Sequence, residues 1–563
     1  MPSLHWTGKD AAVVAIRDVP YRPLVAVPRL SYGEPETENL LIQGDNLEAL
    51  KSLLPVYAGR VKCVFIDPPY NTRSAFEHYD DNREHSIWLS MMYPRLELLR
   101  ELLSEDGSVW VTIDDNEGHY LRVVMDEVFG RGTFIADISW KRRDGAPNDR
   151  KIGSIHDHVL VFAKDAGNAS KKTRAEESFN LMKRTEKADS QYRAYEEPFG
   201  FDKRGPFRKV DSTGNAKGGR YVESLVYPVV NPFTGEEVFP RKGRCWVYRK
   251  EEMLQMVADQ RFFWGKDGKA GTPMRKLFKS EAKAGMTAPS IWDDVGLNQH
   301  AAREIGLDHH SGHPSLGQPI AAVGRSYRRA HGRDAGRLGS GRINDQAREI
   351  EILFGEKASF ETPKPEGLIQ RILDIATNEN DLVLDSFLGS GATTAVAHKM
   401  GRRWIGVEMG DHAETHCAAR LRKVIDGEQG GISTDVNWQG GGGFRYCRLG
   451  EPVFDGHGSI RPGVGFADLA RWVWYRETRQ PLAEVPATPL LGVHQGTAYY
   501  LLFNGILGDR RPAGGNVLTA RLLDVLAPHD GPRVVFGEAC RLHESRLTAL
   551  NLRFRQLPYQ ANA

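Results

Sequence analysis

Asp67-Pro68-Pro69-Tyr70 follows directly on the apolar run Val61 to Ile66, and its residue types suit methylation of an exocyclic amine. Such an amine is a weak nucleophile because its lone pair is delocalised into the ring. The Asp67 carboxylate and a carbonyl of the Pro-Pro segment can accept its two hydrogens, drawing the nitrogen toward tetrahedral geometry and freeing the lone pair for attack. The prolines fix φ and carry no N–H, so the turn offers acceptors with little freedom. Tyr70 adds a flat face against which a base can stack.

A second constellation is Asp385-Ser386-Phe387-Leu388-Gly389-Ser390-Gly391, again between an apolar run and a helical pattern. Its glycines allow a tight turn and close approach of a ligand to the backbone. Glu408 stands 23 residues further on, at the end of the next apolar run, the spacing of a carboxylate that reads ribose hydroxyls. A glycine-rich loop alone would serve NAD equally well. It is not a phosphate-binding P-loop, because no Lys precedes the Thr393-Thr394 pair.

The elements that must position these residues follow from periodicity. Residues 39–163 alternate strands (Leu40–Gln43, Val61–Ile66, Gly107–Ile113, His156–Lys164) with amphipathic helices. That alternation predicts an α/β fold with a parallel, doubly wound sheet. It breaks off near Lys164 and resumes over 361–438. Residues 164–290 hold 26 Lys and Arg against 17 Asp and Glu, a net of +9. The whole chain of 563 residues carries only +2, so the remainder is at −7. A chain of this length predicts several domains. We read 1–38 as an N-terminal extension, 291–360 as a connector, and 439–563 as a small C-terminal α/β domain behind the linker Gln439–Gly443.

Within the connector, residues 307–342 read as a disordered insertion. His309, His310 and His313 lie there, but no Cys or carboxylate ligand set completes a site, so no metal is predicted. The sequence has no apolar stretch long enough for a membrane span and no signal peptide, which predicts a cytoplasmic protein. Five scattered cysteines predict reduced thiols.

Together the two motifs resemble those of the S-adenosylmethionine-dependent DNA amino-methyltransferases, in the group with D-P-P-Y ahead of F-x-G-x-G. The resemblance is closest to the adenine-specific modification subunits of type III restriction–modification systems, and runs from about Asn39 to about Tyr559. It implies that Asp67, Pro68, Pro69 and Tyr70 are catalytic. It implies cofactor contacts from Asp45, Lys364, Pro365, Asp385, Phe387, Gly389, Gly391, Thr393 and Glu408, although Ala392 stands where the family usually has Thr. In this group the catalytic half (39–163) and the cofactor half (361–438) are permuted in one Rossmann-like sheet. Asp67 and Asp385 would then end neighbouring strands. The basic insert falls at the family's target-recognition region. Its Arg204, Arg208, Arg241 and Arg244, with Lys209, Lys242 and Arg249 and interleaved aromatics, are expected to meet duplex DNA. The resemblance also implies a homodimer and a separate helicase–nuclease restriction subunit.

Rival readings are weaker. Cytosine-N4 methylation uses the same geometry, but the family usually carries Ser in place of Asp for that substrate. Cytosine-C5 methylation needs a nucleophilic Cys, usually after Pro, and no Pro-Cys pair occurs. A Rossmann oxidoreductase has no use for D-P-P-Y. A solitary methyltransferase without a restriction partner is compatible with every motif.

Overall fold

The computed structural model describes residues 3–71, 85–143, 145–146, 151–165, 174–215, 221–295 and 364–557. The insertion expected at 307–342 and most of the connector lie outside the described residues. Contacts divide the chain into two units, Met1–Asn180 with Pro289–Ala563, and Leu181–Ala288.

The first unit is organised by one sheet. Its strands are β1 (Leu24–Ala26), β2 (Leu40–Gln43), β3 (Val61–Ile66), β4 (Leu103–Ile113), β5 (Phe134–Lys141), β6 (His156–Ala163), β7 (Ile291–Trp292), β8 (Leu382–Asp385), β9 (Arg403–Glu408) and β10 (Gly443–Leu449). Their spatial order is β1-β10-β2-β9-β8-β3-β4-β6-β5-β7. From β10 through β4 all neighbours run parallel. Parallel strands covered on both faces must be apolar throughout, and all six side chains of β3 and all four of β8 are buried. Val383 of β8 pairs with Cys63 of β3, and Leu384 with Val64. The two α/β stretches therefore form one sheet, as the resemblance implied.

Helices α1 (Lys9–Asp18), α2 (Asn46–Tyr57), α3 (His85–Leu102), α4 (Gly118–Phe129), α5 (Glu366–Ala376) and α6 (Ala392–Lys399) belong to the same unit. Helix α3 buries Trp88, Leu89, Met92, Leu96 and Leu99 in the main core, each contributing roughly 1.5–3 kcal/mol of transfer free energy.

The structure departs from the expected organisation in three places. The sheet is mixed, because β6 runs antiparallel to both β4 and β5. Among the described residues no helix lies between β5 and β6, and parallel pairing needs a crossover. Residues 443–449, assigned to the C-terminal domain, form β10 inside the main sheet, parallel to β2. The N-terminal extension also belongs to this sheet, since β1 and the pair Tyr32–Gly33 both bond to β10. The C-terminal region then adds a four-stranded sheet of its own: Leu490–His494, Thr497–Leu501, Arg533–Gly537 and Leu552–Gln556.

The second unit is narrower than the basic stretch read from composition. It contains a three-stranded antiparallel sheet (Phe207–Asp211, Met274–Phe278, Phe262–Phe263) and several two-stranded ribbons. Tyr227, Val229, Trp246, Met253, Phe262 and Trp264 make its core. Buried Lys276 is satisfied by Glu197 at 2.6 Å and Asp202 at 2.9 Å.

Candidate active site

Parallel pairing brings the carboxyl ends of β2, β9, β8, β3 and β4 to one edge. Asp67 follows β3, Asp385 ends β8, Glu408 ends β9 and Asp45 follows β2. Because β6 is antiparallel, its first residues, His156 and Asp157, reach the same edge.

Asp67 is held on both oxygens. Thr112 Oγ1, from β4, donates to Oδ1 at 2.6 Å, and Lys364 Nζ donates to Oδ2 at 2.5 Å. The same ammonium stands 4.8 Å from the centroid of the Tyr70 ring. Lys364, which the resemblance places at the cofactor, thus stands on the Asp67 carboxylate. Of the two proline carbonyls, that of Pro69 accepts from Trp88 Nε1 at 2.6 Å. No donor among the described residues reaches the carbonyl of Pro68.

Tyr70 is deeply set. Burial, together with Asp67 and Asp157, pushes its hydroxyl well above the usual phenol range. Its OH lies 3.5 Å from Asp157 Oδ2. Burial also lifts Asp157 to about 6, against the lowering influence of Arg142 and Lys364. Asn71 has a left-handed φ of 55°, a conformation that Asn tolerates better than most residues. Its Nδ2 donates to Glu117 Oε1 at 2.7 Å, while His85 Nδ1 lies 2.7 Å from Glu117 Oε2. Glu117 is buried and grips both flanks of residues 72–84.

The glycine loop is shaped from within. Asp385 Oδ1 accepts from Phe387 N at 2.9 Å and Oδ2 from Thr393 Oγ1 at 2.6 Å. Burial pushes Asp385 up to about 7. Gly389 and Gly391 adopt φ of 56° and 79°, and a Cβ on Gly391 would meet Cys417 Cα at 3.3 Å. Gly389 N donates to Glu408 Oε2 at 2.7 Å, and burial raises the Glu408 carboxyl. Asp45 caps α2, accepting from Leu47 N and Glu48 N at 2.9 and 3.2 Å. Asn46 Nδ2 donates to the Ser386 carbonyl at 2.8 Å, pinning the start of α2 to the loop. Pro365 is the N-cap of α5. Phe387 is half-buried against the main core.

The sequence reading missed Thr112, Trp88, Asn46, Glu117 and Asp157. A hydroxyl in the apolar run GSVWVTI and an acid at the head of HDHVLVFAK were the available signals. Trp88 and Glu117 carried none, since their role comes from contacts across the fold.

In the second unit Arg204 forms a bidentate pair with Asp202 at 2.9 and 2.7 Å. It also donates to the carbonyls of Asp259 and Gln260, both at 2.9 Å. Arg244 is bound to Asp211 and Thr213. Both arginines, expected at DNA, bond within their own unit. Arg208, Arg241, Lys242 and Arg249 have no carboxylate partner among the described residues.

Residues 61–418 match the family described as DNA methylase. The chain belongs to this family. Among relatives of this DNA methylase, the probable type III restriction-modification enzyme HindVI Mod subunit of Haemophilus influenzae is 30% identical over 75% of this chain and 55% of its own length. The type III EcoPI Mod subunit of Escherichia phage P1 is 29% identical over 70% of this chain and 61% of its own. The chain spans somewhat more than half the length of these curated relatives. A putative DNA modification methylase from Thermus thermophilus, solved with S-adenosyl-L-methionine, superposes with a TM-score of 0.32 at 14% identity. It covers 72% of this chain and 99% of that one. No helix among the described residues is long and apolar enough to cross a membrane.

Proposed function

We propose that this DNA methylase transfers a methyl group from S-adenosylmethionine to the N6 amine of adenine in duplex DNA, as the modification subunit of a restriction–modification system. The observation that carries the reading is Asp67, anchored through Oδ1 by Thr112 and beside the glycine loop of the neighbouring strand. The loop fits the cofactor. Two of its glycines are left-handed, and the buried Ser386 Oγ has no hydrogen-bond partner among the described residues, leaving it for a ligand. Phe387, Gly389, Gly391 and Glu408 would hold the cofactor there, with Asp45, Pro365 and Thr393 supporting them. When bound, it supplies an electrophilic methyl group.

Asp67 Oδ2 accepts one hydrogen of the adenine amine once Lys364 gives way. The Pro68 carbonyl accepts the other, because Trp88 already occupies that of Pro69. Tyr70 stacks on the flipped base. The extra proton on the methylated nitrogen is acidic and leaves to solvent, so no separate general base is needed. Asp67 favours adenine over cytosine N4. The similarity to Mod subunits supports a second copy of the chain and a separate helicase–nuclease subunit as partners.

The test incubates the purified chain with S-adenosylmethionine and unmodified DNA and analyses the nucleosides by mass spectrometry. N6-methyladenine is expected, and Asp67→Ala should abolish it, a loss of at least about 1,000-fold, while keeping cofactor affinity. N4-methylcytosine, or full activity in Asp67→Ala, would overturn the reading.

A further inference from the structure

The end of β4, the middle of β5 and the start of β6 carry a second cluster that the proposed methyl transfer does not use. Side chains alternate along a strand, so His156 and His158 share one face of β6 while Asp157 points the opposite way, toward Tyr70. On the histidine face, Asp115 comes from the turn after β4 and Asp137 from β5. His158 Nδ1 lies 2.9 Å from Asp137 Oδ1 and its Nε2 lies 3.1 Å from Asp115 Oδ1. The His156 and His158 rings are 5.3 Å apart. One ligand atom each from Asp115, His156 and His158 lies within 4.8 Å of the others.

We infer that Asp115, His156 and His158 form a binding site for one divalent transition-metal ion of the zinc class. The argument rests first on the donor set. Two imidazoles and one carboxylate match zinc and its neighbours, whereas magnesium and calcium call for oxygen ligands throughout. Three protein ligands leave a fourth tetrahedral position for water. The second support is Asp137. With Nδ1–H donating to that carboxylate, Nε2 is the ring nitrogen turned toward Asp115 and His156, and a bound ion would displace the proton that Nε2 shares with Asp115. Metal-ligating histidines carry this kind of outer partner almost universally. Asp115 is exposed, so its carboxylate has room to turn toward an ion. A bound ion would tie the turn after β4, which also carries Glu117, to the head of β6. Metal occupancy would therefore brace the support of Asn71 and His85.

This site stands independently of the methyltransferase reading. The test uses the untagged full chain, stripped with chelator and titrated with Zn2+ by calorimetry and with Co2+ by visible absorption. One ion per chain is expected, with the intense absorption of tetrahedral Co2+ and a rise in melting temperature. His156→Ala and Asp115→Asn should each abolish that binding. His156 makes no side-chain hydrogen bond among the described residues, so its removal leaves the fold intact, as circular dichroism would verify. Asp137→Asn should weaken affinity about 10- to 100-fold without abolishing it. His119→Ala, whose ring is 5.9 Å from that of His158 but outside the ligand set, should bind as wild type. Absence of stoichiometric binding, or undiminished binding in folded His156→Ala, would overturn the assignment.

Discussion

Asp67 is useful only if one of its oxygens is held still while the other is offered to the substrate. Thr112 does the holding, from a position buried completely in β4. A hydrogen bond to a charged group contributes about 1.5–3 kcal/mol. Thr112→Val keeps the shape and removes that bond, so kcat should fall about 10- to 100-fold with cofactor affinity unchanged, measured by single-turnover transfer and calorimetry. Asp157 makes a prediction about pH. Its folded value near 6 lies above the 3.8 of an exposed aspartate, so the native state keeps a proton that the unfolded chain releases. Stability is greatest below about pH 4 with respect to this group and declines as pH rises to about 6, by up to ~3 kcal/mol. Asp157→Asn should flatten that part of the melting-temperature profile. Asp385, near 7, adds a decline of the same sign that the variant retains. Parallel profiles in wild type and Asp157→Asn would contradict the argument.

At the scale of elements, the D-P-P-Y turn is positioned by pieces outside the motif. Strand β3 delivers Asp67, α3 supplies Trp88 to the Pro69 carbonyl, and the turn after β4 supplies Glu117 to both Asn71 and His85. Glu117→Ala releases both grips, and transfer should drop about 100-fold with no change in cofactor affinity. Glu117→Gln still accepts from Asn71 and should fall between that variant and wild type in the same assay. Strands and helices were readable because each carries its own period: β3 matches Val61–Ile66 residue for residue, five of its six residues apolar and Lys62 buried on Asp106. Strand β5 escaped because its alternation is shallow, with only Ile138 and Trp140 buried. The tiny β1, Leu24-Val25-Ala26, is too short to show a period and is not buried, and its pairing with β10 is what makes it a strand.

Over the whole molecule, a near-neutral chain conceals a basic unit. Residues 181–288 hold 22 Lys and Arg against 14 Asp and Glu. Internal pairing decides which of these cations are available. Charge reversal at Arg241 and Arg249 should weaken DNA binding about 10-fold or more and lower the salt slope by about 2. Arg204→Glu should instead lower the melting temperature, since it sets a carboxylate against Asp202 beside the buried Lys276. Filter binding at several salt concentrations, together with thermal melts, separates the two outcomes. By itself the sequence determined the chemistry on offer, an acid on a rigid acceptor turn and a glycine loop, because both motifs are local and keep their meaning wherever the chain carries them. It also determined most elements of the sheet, because burial on both faces leaves an apolar run. Only the tertiary structure decided that β3 and β8, more than 300 residues apart, lie side by side. It alone placed Lys364 on Asp67 and paired Arg204 with Asp202 and Arg244 with Asp211. Ion pairs and strand neighbours depend on distances through space, and neither composition nor spacing along the chain records them.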